Sequence, residues 1–457
     1  MTMICKSPAV TRNFISLILL SANTFAYADG PLDPTFANGY GIYPFPLGSN
    51  WAVMNAMSQD SEGHLLTTGQ SRSATNTDVM TVTRHDAGVL DSGFGDRGVV
   101  SGLWGDFDSR ANAIAMDHAG RIVVAGTVVL PLTCGGNSTT TYFGVARLRN
   151  GDGPAGQPDT EFGGTPFPGS SLIHVGECSV NVGAGGVAIG PNNEVVLVGT
   201  AWDGAHYVTT LVRWTKDGAL DSTFGSSGSI LASYRDADLF GKAIAIDEIG
   251  RIVAAAYAVT PSGNYGVITR YTTAGSADSS FGEDGTSTFS LGAGRYGDLC
   301  CVAIDPDGRL VVAGTAEAEI DGDDKIVLAR FMSTGILDKT FGKNGLSEPA
   351  VSAHISQSMS LALDRQGRAI VAVDHSSNTS FEQSTPLIAH INLDGSLNSA
   401  SGFGGIYTTS IGFNDSYSTS VVVDNGGRVN VLAYGFDRDG AFPAVIRYDE
   451  MFGDGFD

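Results

Sequence analysis

Short apolar runs rich in β-branched residues alternate with tight turns along nearly the whole chain. In the clearest copy, residues 302–304 and 310–313 are apolar runs too short for a helix, and Pro306, Asp307 and Gly308 lie between them. Pro306 sets φ for a type I turn, Asp307 can bond its own backbone, and Gly308 accepts a left-handed conformation. The pattern predicts a β-hairpin whose near-continuously apolar strands are covered on both faces.

The same hairpin pattern recurs through the sequence, which gives seven copies in all. The other clear copies are residues 112–127, 242–256, 360–373 and 420–433. Two copies are degenerate: 55–69 has His64 in place of the usual Arg, and 186–200 has Gly190, Asn193 and Glu194 in place of Asp, Gly and Arg.

A second block, Leu-Asp-x-x-Phe, is interleaved with the hairpins and recurs about every 60 residues, which is the mark of a repeat architecture. Its acidic positions are Asp33, Asp91, Asp159, Asp221, Asp278 and Asp338, with Asn398 in a blurred seventh copy. A third strand lies between the two blocks and ends in a basic residue: Arg147, Arg213, Arg270, Arg330, His390 or Arg447.

With these two blocks the chain resembles the delta-60 repeat proteins, which are themselves similar to NHL-type β-propeller repeats. The resemblance covers nearly all of the chain after residue 30. It implies a β-propeller fold, and it implies no catalytic residues, because none come with the motif.

We therefore predict an all-β, seven-bladed propeller of four-stranded antiparallel blades over residues 29–448, followed by a short tail at 449–457. The last repeat ends before its fourth strand, whereas the mature chain begins with an unmatched fourth strand at residues 32–45. The N-terminal strand is expected to complete the seventh blade and so remove two open sheet edges. We expect the repeated Asp to cap a turn, the Phe to fill the wedge between blades, and the Arg after the hairpin turn to pair with the turn Asp.

The first 28 residues have the pattern of a secretory signal peptide. Lys6 and Arg12 precede an apolar run at 14–20, and residues 26–28 form an A-x-A cleavage site, which predicts cleavage near Ala28 and a secreted or periplasmic protein. A membrane anchor is the alternative, but the apolar run is short and interrupted by polar residues. No later segment is long and apolar enough to span a bilayer.

The formal net charge of the chain is −22, from 48 acidic and 26 basic residues. Such a surface repels nucleic acids and anionic membranes, so we expect a monomer whose protein or small-molecule partner is cationic or basic. Within the predicted mature chain, Cys134 and Cys178 fall in links on the same face, which makes them a candidate disulfide. Cys300 and Cys301 are interpreted as small buried residues, with a redox switch as the alternative.

No catalytic residue is assigned and no cofactor is expected, because the sequence lacks the phosphate-binding, zinc and nucleophile motifs. The Gly-rich segment 151–156 matches a dinucleotide-binding spacing, but Pro154 and Gly156 exclude the helix that this mechanism requires.

The asymmetric feature is acidity on the face that carries the links between blades. The candidates there are Asp106, Asp108, Asp236, Asp238, Asp298 and Asp415. Asp321, Asp323 and Asp324 offer oxygen ligands suited to Ca²⁺, without the distal Glu of a full calcium loop. The alternative is that these are ordinary solvated acids.

Three functions follow as hypotheses. The first is an exported binding or scaffold module that acts through the acidic face. The second is a propeller hydrolase or lyase that acts on a sugar or lactone with a divalent cation in the channel. The third is a surface component sorted by the tail 451–457. The alternative for the tail is a degenerate copy of the end of the Leu-Asp-x-x-Phe block, in which Gly follows the Phe.

Overall fold

The computed structural model describes most of the chain after the predicted signal segment. The described residues are 32–449 except for 46, 48–50, 135, 137, 152–153, 165, 179–182, 292–296, 317–324, 352–353, 377–383, 401–403, 414 and 439. The predicted signal peptide, the tail beyond residue 449 and the predicted calcium ligands Asp321, Asp323 and Asp324 lie outside them. In the described part of the chain, no helix has the length and apolarity to cross a bilayer.

Seven antiparallel sheets form the blades of the propeller, and the predicted fold class is confirmed. Blade 1 is β2 (Ala52–Gln59), β3 (Leu65–Arg72), β4 (Asp78–Asp86), β5 (Val89–Leu90) and β6 (Val99–Ser101). Blade 2 is β7 (Ser109–Met116), β8 (Ile122–Leu130), β9 (Thr140–Leu148) and β10 (Ser170–Ile173). Blade 3 is β11 (Gly183–Ile189), β12 (Val195–Trp202), β13 (Tyr207–Trp214) and β14 (Ser229–Ala232). Blade 4 is β15 (Asp238–Ile246), β16 (Ile252–Thr260), β17 (Gly263–Tyr271) and β18 (Thr286–Ser290).

The remaining blades follow the same order. Blade 5 is β19 (Asp298–Ile304), β20 (Leu310–Ala316), β21 (Lys325–Phe331) and β22 (Leu346–Ser347). Blade 6 is β23 (His354–Leu363), β24 (Ala369–Ser376), β25 (Thr385–Ile391) and β26 (Ile406–Thr408). Blade 7 is β27 (Asp415–Val423), β28 (Val429–Asp437), β29 (Gly440–Tyr448) and β1 (Ile42–Pro44). A 3-10 turn, η1 (Ala37–Gly39), precedes β1 in the chain.

The blades form a closed ring around a core made of layers between neighbouring sheets. The first strand of each blade contacts the first strands of both adjacent blades, and β2 contacts β27 where the ring closes. Buried side chains of adjacent blades interleave, as where Val196 and Leu211 of blade 3 pack with Ile252 and Ala254 of blade 4. The apolar runs are therefore covered on both faces, as their near-continuous apolarity predicted.

The hairpin turn is held by its aspartate. Asp305 Oδ1 accepts the backbone N–H groups of Asp307 and Arg309 at 2.9 and 2.8 Å, and Oδ2 accepts Arg309 Nε at 2.6 Å. Gly308 has φ 75°, which favours glycine. The expected pairing of the turn Asp with the Arg of the same blade is confirmed here and at Asp117, Asp247, Asp364 and Asp424.

The Leu-Asp-x-x-Phe block joins each blade to the next through the Arg of the third strand. Arg330 Nε donates to Asp338 Oδ2 at 2.9 Å, its guanidinium lies 4.7 Å from the centre of the buried Phe341 ring, and Nη1 donates to the Leu393 carbonyl of blade 6 at 2.5 Å. The equivalent Arg147, Arg213 and Arg270 reach carbonyls of their next blades in the same way. The expected turn-capping Asp and wedge-filling Phe are present, and the bond between blades is a feature that the sequence did not reveal.

The N-terminal strand completes blade 7, as predicted. Ile42 pairs with Ile446 and Pro44 with Ala444 in an antiparallel ladder between β1 and β29. The buried Phe36 lies 4.3 Å from the guanidinium of Arg447, so the N-terminal copy of the block makes the same stacking contact as the internal ones.

Candidate ligand-binding site

The predicted acidic residues differ widely in burial. Asp106, Asp108 and Asp236 are exposed, whereas Asp238 and Asp415 are half-exposed. Asp106 accepts a hydrogen bond from Thr75 Oγ1. Asp298 has a side chain only 16% exposed. Among the described residues, these acids do not form a group of three within reach of one metal ion; the one group of His, Cys, Asp and Glu that does so is Cys134, His174 and Cys178.

A β-bulge interrupts the first strand of every blade and places an extra residue on the innermost wall of the ring. In six blades the bulged residue stands four positions before the end of the hairpin's first strand: Asn55, Asn112, Gly185, Lys242, Cys300 and Thr419. In blade 6 the register shift lies between Ile355 and Met359. Bulges re-aim side chains, and two of these residues reach the next blade. Asn55 Nδ2 donates to the Ala111 carbonyl of blade 2 at 2.9 Å. Lys242 Nζ accordingly reaches Asp298 Oδ2 of blade 5 at 2.9 Å.

Four half-buried aromatic rings form a continuous row beside this ion pair. Trp202 and Tyr207 are in edge contact at 5.1 Å, Tyr207 and Phe240 are tilted at 5.3 Å, and Phe240 and Tyr257 are stacked at 5.0 Å between ring centroids. The row passes from the end of β12 and the start of β13 to the first two strands of blade 4. Antiparallel pairing puts all of these positions at the link-bearing ends of their strands.

The ion pair and the aromatic row meet at Tyr257. Lys242 Nζ lies 5.3 Å from the centre of the Tyr257 ring, while it also bonds Asp298. We call Trp202, Tyr207, Phe240, Tyr257, Lys242 and Asp298 the aromatic–acid site. Its geometry holds an ammonium group between an aromatic face and a carboxylate, which is the arrangement of cation–π recognition.

Asp298 is the electrostatically unusual member of this site. Desolvation raises the pKa of its carboxyl above the ordinary range. The positive charge and hydrogen bond of Lys242, and to a smaller extent the backbone N–H of Leu299, offset that effect only in part. Its Oδ1 is buried and has no hydrogen-bond partner among the described residues. Burial also raises the pKa of Tyr257, with the Asp298 charge as a second cause. A buried carboxylate oxygen without a donor is unfavourable, so it is a point where a ligand donor would be stabilising.

A second acid borders the row. Asp238 Oδ1 accepts the backbone N–H of Tyr207 at 3.0 Å and lies 3.6 Å from His206 Nδ1. This contact fixes the start of β13, and with it the position of the Tyr207 ring. The half-exposed Asp238 carboxylate adds negative charge to the rim of the site.

Blade 7 and its neighbour carry another aromatic group on the same face, but its acid is already satisfied. Tyr417 and Tyr434 stack at 5.4 Å, and Tyr434 has a pKa raised to about 12 by burial. The buried Asp374 accepts both the backbone N–H and the hydroxyl of Ser418. We therefore interpret Tyr417, Tyr434 and Asp374 as residues that stabilise the contact between blades 6 and 7, in contrast to the aromatic–acid site.

Sequence reasoning found Asp238 and Asp298 but missed Lys242 and the four aromatic rings. A signal was present in the repeats. The position equivalent to Tyr257 in the second strand of the other blades is Gln70, Thr127, Thr200, Thr315, Asp374 or Tyr434, so it varies where the core positions repeat. Such variation at one end of otherwise regular blades marks the surface on which the blades differ chemically.

The four cysteines among the described residues lie in two close pairs. The sulfur atoms of Cys134 and Cys178 are bonded to each other, with the two Cα atoms 5.6 Å apart. Cys300 and Cys301 are bonded as a vicinal pair, with an S–S distance of 2.13 Å, and both are half-buried rather than fully buried as their sequence interpretation supposed.

Comparison with known proteins supports the propeller fold. The family described as a domain of unknown function (DUF5122) beta-propeller matches residues 306–341, a small part of the chain. No curated protein matches the chain in sequence.

Several solved structures are similar at low identity. A protein of unknown function from Dyadobacter fermentans is 12% identical, with a TM-score of 0.39 over 74% of this chain and 95% of its own. An alpha-L-arabinofuranosidase from Fusarium graminearum is 9% identical, with a TM-score of 0.44 over 74% of this chain and 93% of its own. A virginiamycin B lyase from Staphylococcus aureus is also 9% identical, with a TM-score of 0.44 over 89% of this chain and 98% of its own.

Proposed function

We propose that this chain is an exported, non-enzymatic binding module of the delta-60 repeat type, and that the aromatic–acid site binds a ligand carrying a positively charged amine. One observation carries the proposal: Asp298 Oδ1 is buried beside the aromatic row and accepts no hydrogen bond of good geometry from the described residues. A cationic amine would supply that donor and would gain from the neighbouring ring faces.

Charge supports the same ligand class. A chain of net charge −22 attracts cations over long range, and Asp238 and Asp298 concentrate that charge at the site. Lys242 acts as a built-in stand-in for the ligand, because its ammonium already lies between the Tyr257 ring and Asp298. A ligand amine would use the same ring faces and the free oxygen of Asp298.

The test measures calorimetric binding of spermidine and an oligoarginine peptide, both of which carry N–H donors, to the mature protein. We expect saturable binding of at least one of these cations. Asp298→Asn is expected to weaken it by about 10-fold or more, and Phe240→Ala by a few-fold, from typical charged hydrogen-bond and cation–π energies. Lys242→Met should tighten binding, because it removes the internal competitor. The matched control is Asp236→Asn, which neutralises an exposed acid on the same face. No binding, or equal loss in the control and Asp298→Asn, would refute the proposal.

A second candidate is a hydrolase or lyase that acts on a sugar or lactone. The observation favouring it is that Asp298 combines a raised pKa with an adjacent aromatic surface, since both are properties of acid catalysts that act on sugars. Incubation with polysaccharides and lactones, with and without Ca²⁺, tests this candidate. Product formation that disappears in Asp298→Asn would support catalysis, whereas turnover that is equal in wild type and variant would exclude this residue as the acid.

A further inference from the structure

His174 lies beside the two bonded cysteines in the links of blades 2 and 3. One ring nitrogen of His174 and the sulfur atoms of Cys134 and Cys178 lie within 4.8 Å of one another. Cys134 belongs to the link after β8, whereas His174 and Cys178 belong to the link between β10 and β11. Three side chains with soft or borderline ligand atoms are thus brought together from two separate links.

The imidazole keeps one ring nitrogen available as a ligand. His174 Nδ1 lies 3.1 Å from the Thr141 carbonyl oxygen, and a carbonyl can only accept, so Nδ1 carries the proton. Nε2 then holds the lone pair, and it is buried without a hydrogen-bond partner among the described residues. The ring is also packed at 5.7 Å against Tyr142, which restricts its rotation. Histidines that bind metals are typically fixed by this kind of Nδ1–H bond to a carbonyl.

We propose that Cys134, Cys178 and His174 form a redox-controlled site for a thiophilic divalent ion of the Zn²⁺ class. A dithiol reductant supplies two electrons and two protons to the disulfide, and is itself oxidised to a disulfide. The two thiols then lose their protons to solvent as the ion binds, and two thiolates neutralise its charge. Cys₂His ligation leaves the fourth tetrahedral position to water.

The oxidised and the reduced, metal-bound states of this site would connect the same two links by different bonds. In the oxidised state the S–S bond joins the link after β8 to the link before β11. In the reduced state the ion would join them through three ligands, so the fold is maintained while metal is taken up or released. This inference does not rest on the proposed function, although the link that carries Cys178 borders the aromatic–acid site: the backbone N–H of Glu177 donates to the Trp202 carbonyl at 2.7 Å.

The experiment uses the mature protein with Cys300→Ser and Cys301→Ser, which removes the other thiols. The protein is reduced with a phosphine, thiols are counted, folding is checked by circular dichroism, and Co²⁺ is titrated anaerobically, followed by displacement with Zn²⁺. We expect one Co²⁺ per chain, with a thiolate-to-cobalt charge-transfer band in the near ultraviolet, and no band before reduction.

Variants separate the site from adventitious binding. His174→Ala is expected to lower Co²⁺ affinity by roughly 10-fold or more while leaving two free thiols. His118→Ala, which removes an exposed histidine in a hairpin turn, is the matched control and should leave affinity unchanged. The proposal is overturned if reduced, folded protein shows no charge-transfer band, if His174→Ala binds as tightly as its parent, or if the disulfide resists reduction until the protein unfolds.

Discussion

The arginine between blades 5 and 6 offers a quantitative test of what holds the ring together. Arg330 and Asp338 have side chains 4% and 7% exposed, and they are joined by two hydrogen-bonding contacts of 2.9 Å. Arg330 also donates to the Leu393 carbonyl and to Thr340 Oγ1. Blade 6 supplies a natural neutral alternative, because His390 and Asn398 occupy the same two positions.

We predict that Arg330→His at pH 8, where a histidine is mostly neutral, destabilises the protein by about 3–5 kcal/mol. Removing one partner leaves a buried charge uncompensated. Asp338→Asn alone should have a similar effect by leaving the guanidinium unpaired. The double variant, which copies blade 6, should be more stable than the sum of the single effects by about 2 kcal/mol, because no buried charge remains.

The assay is thermal and urea unfolding of the four proteins. With unfolding entropies near 2 cal/mol/K per residue, a loss of 3–5 kcal/mol lowers Tm by about 3–6 °C for a ring of this size. Matched charge removal at the exposed pair Arg97 and Asp96 is the control and should shift Tm by less than about 1 °C, because surface pairs contribute little. Strictly additive single effects, or a Tm unchanged in Arg330→His, would refute the claim that this arginine clamps the blades.

Four further expectations can be checked directly. Deleting residues 29–46 removes the strand that pairs with β29, so the truncated protein should be soluble but less stable in thermal melting and self-associating in light scattering. A melting curve like that of the parent would contradict closure of the ring by the N-terminal strand. Stability should fall as pH drops from about 6.5 towards 3, because burial lowers the pKa of His85 and His390 to about 3 and the unfolded chain therefore binds more protons than the folded one. Asp338 and Asp278 have lowered pKa values in the folded chain, so they add a further loss of stability below about pH 4. A Tm that stays constant between pH 7 and 4 would contradict this prediction. Intact mass of the exported protein should match a chain that begins at Asp29 and lacks four hydrogens for its two disulfides, and a mass that includes the first 28 residues contradicts cleavage. Calorimetry with Ca²⁺ tests Asp321, Asp323 and Asp324: heat that disappears in the triple Asn variant supports the calcium prediction, and no heat refutes it.

The blade architecture was available from the sequence because each repeat encodes its own local structure. The turn at Asp305, Pro306 and Gly308 is decided by hydrogen bonds and φ preferences within five residues. Apolar runs then predict strands covered on both sides, and seven copies with one strand displaced to the N-terminus predict the closed ring. Local chemistry repeated at a fixed period needs no knowledge of distant contacts.

The aromatic–acid site and the Cys–His cluster were decided by the tertiary structure. Asp298 was one acid among many in sequence; only the ring places it next to Lys242, 56 positions earlier, and buries it enough to raise its pKa. No sequence motif marks His174. It lies near Cys134 because the antiparallel order of the strands brings their two links to the same face. The repeat specifies how a blade is built, but neighbouring blades are about sixty residues apart, so contacts between them depend on bulges and side-chain directions that no local pattern encodes.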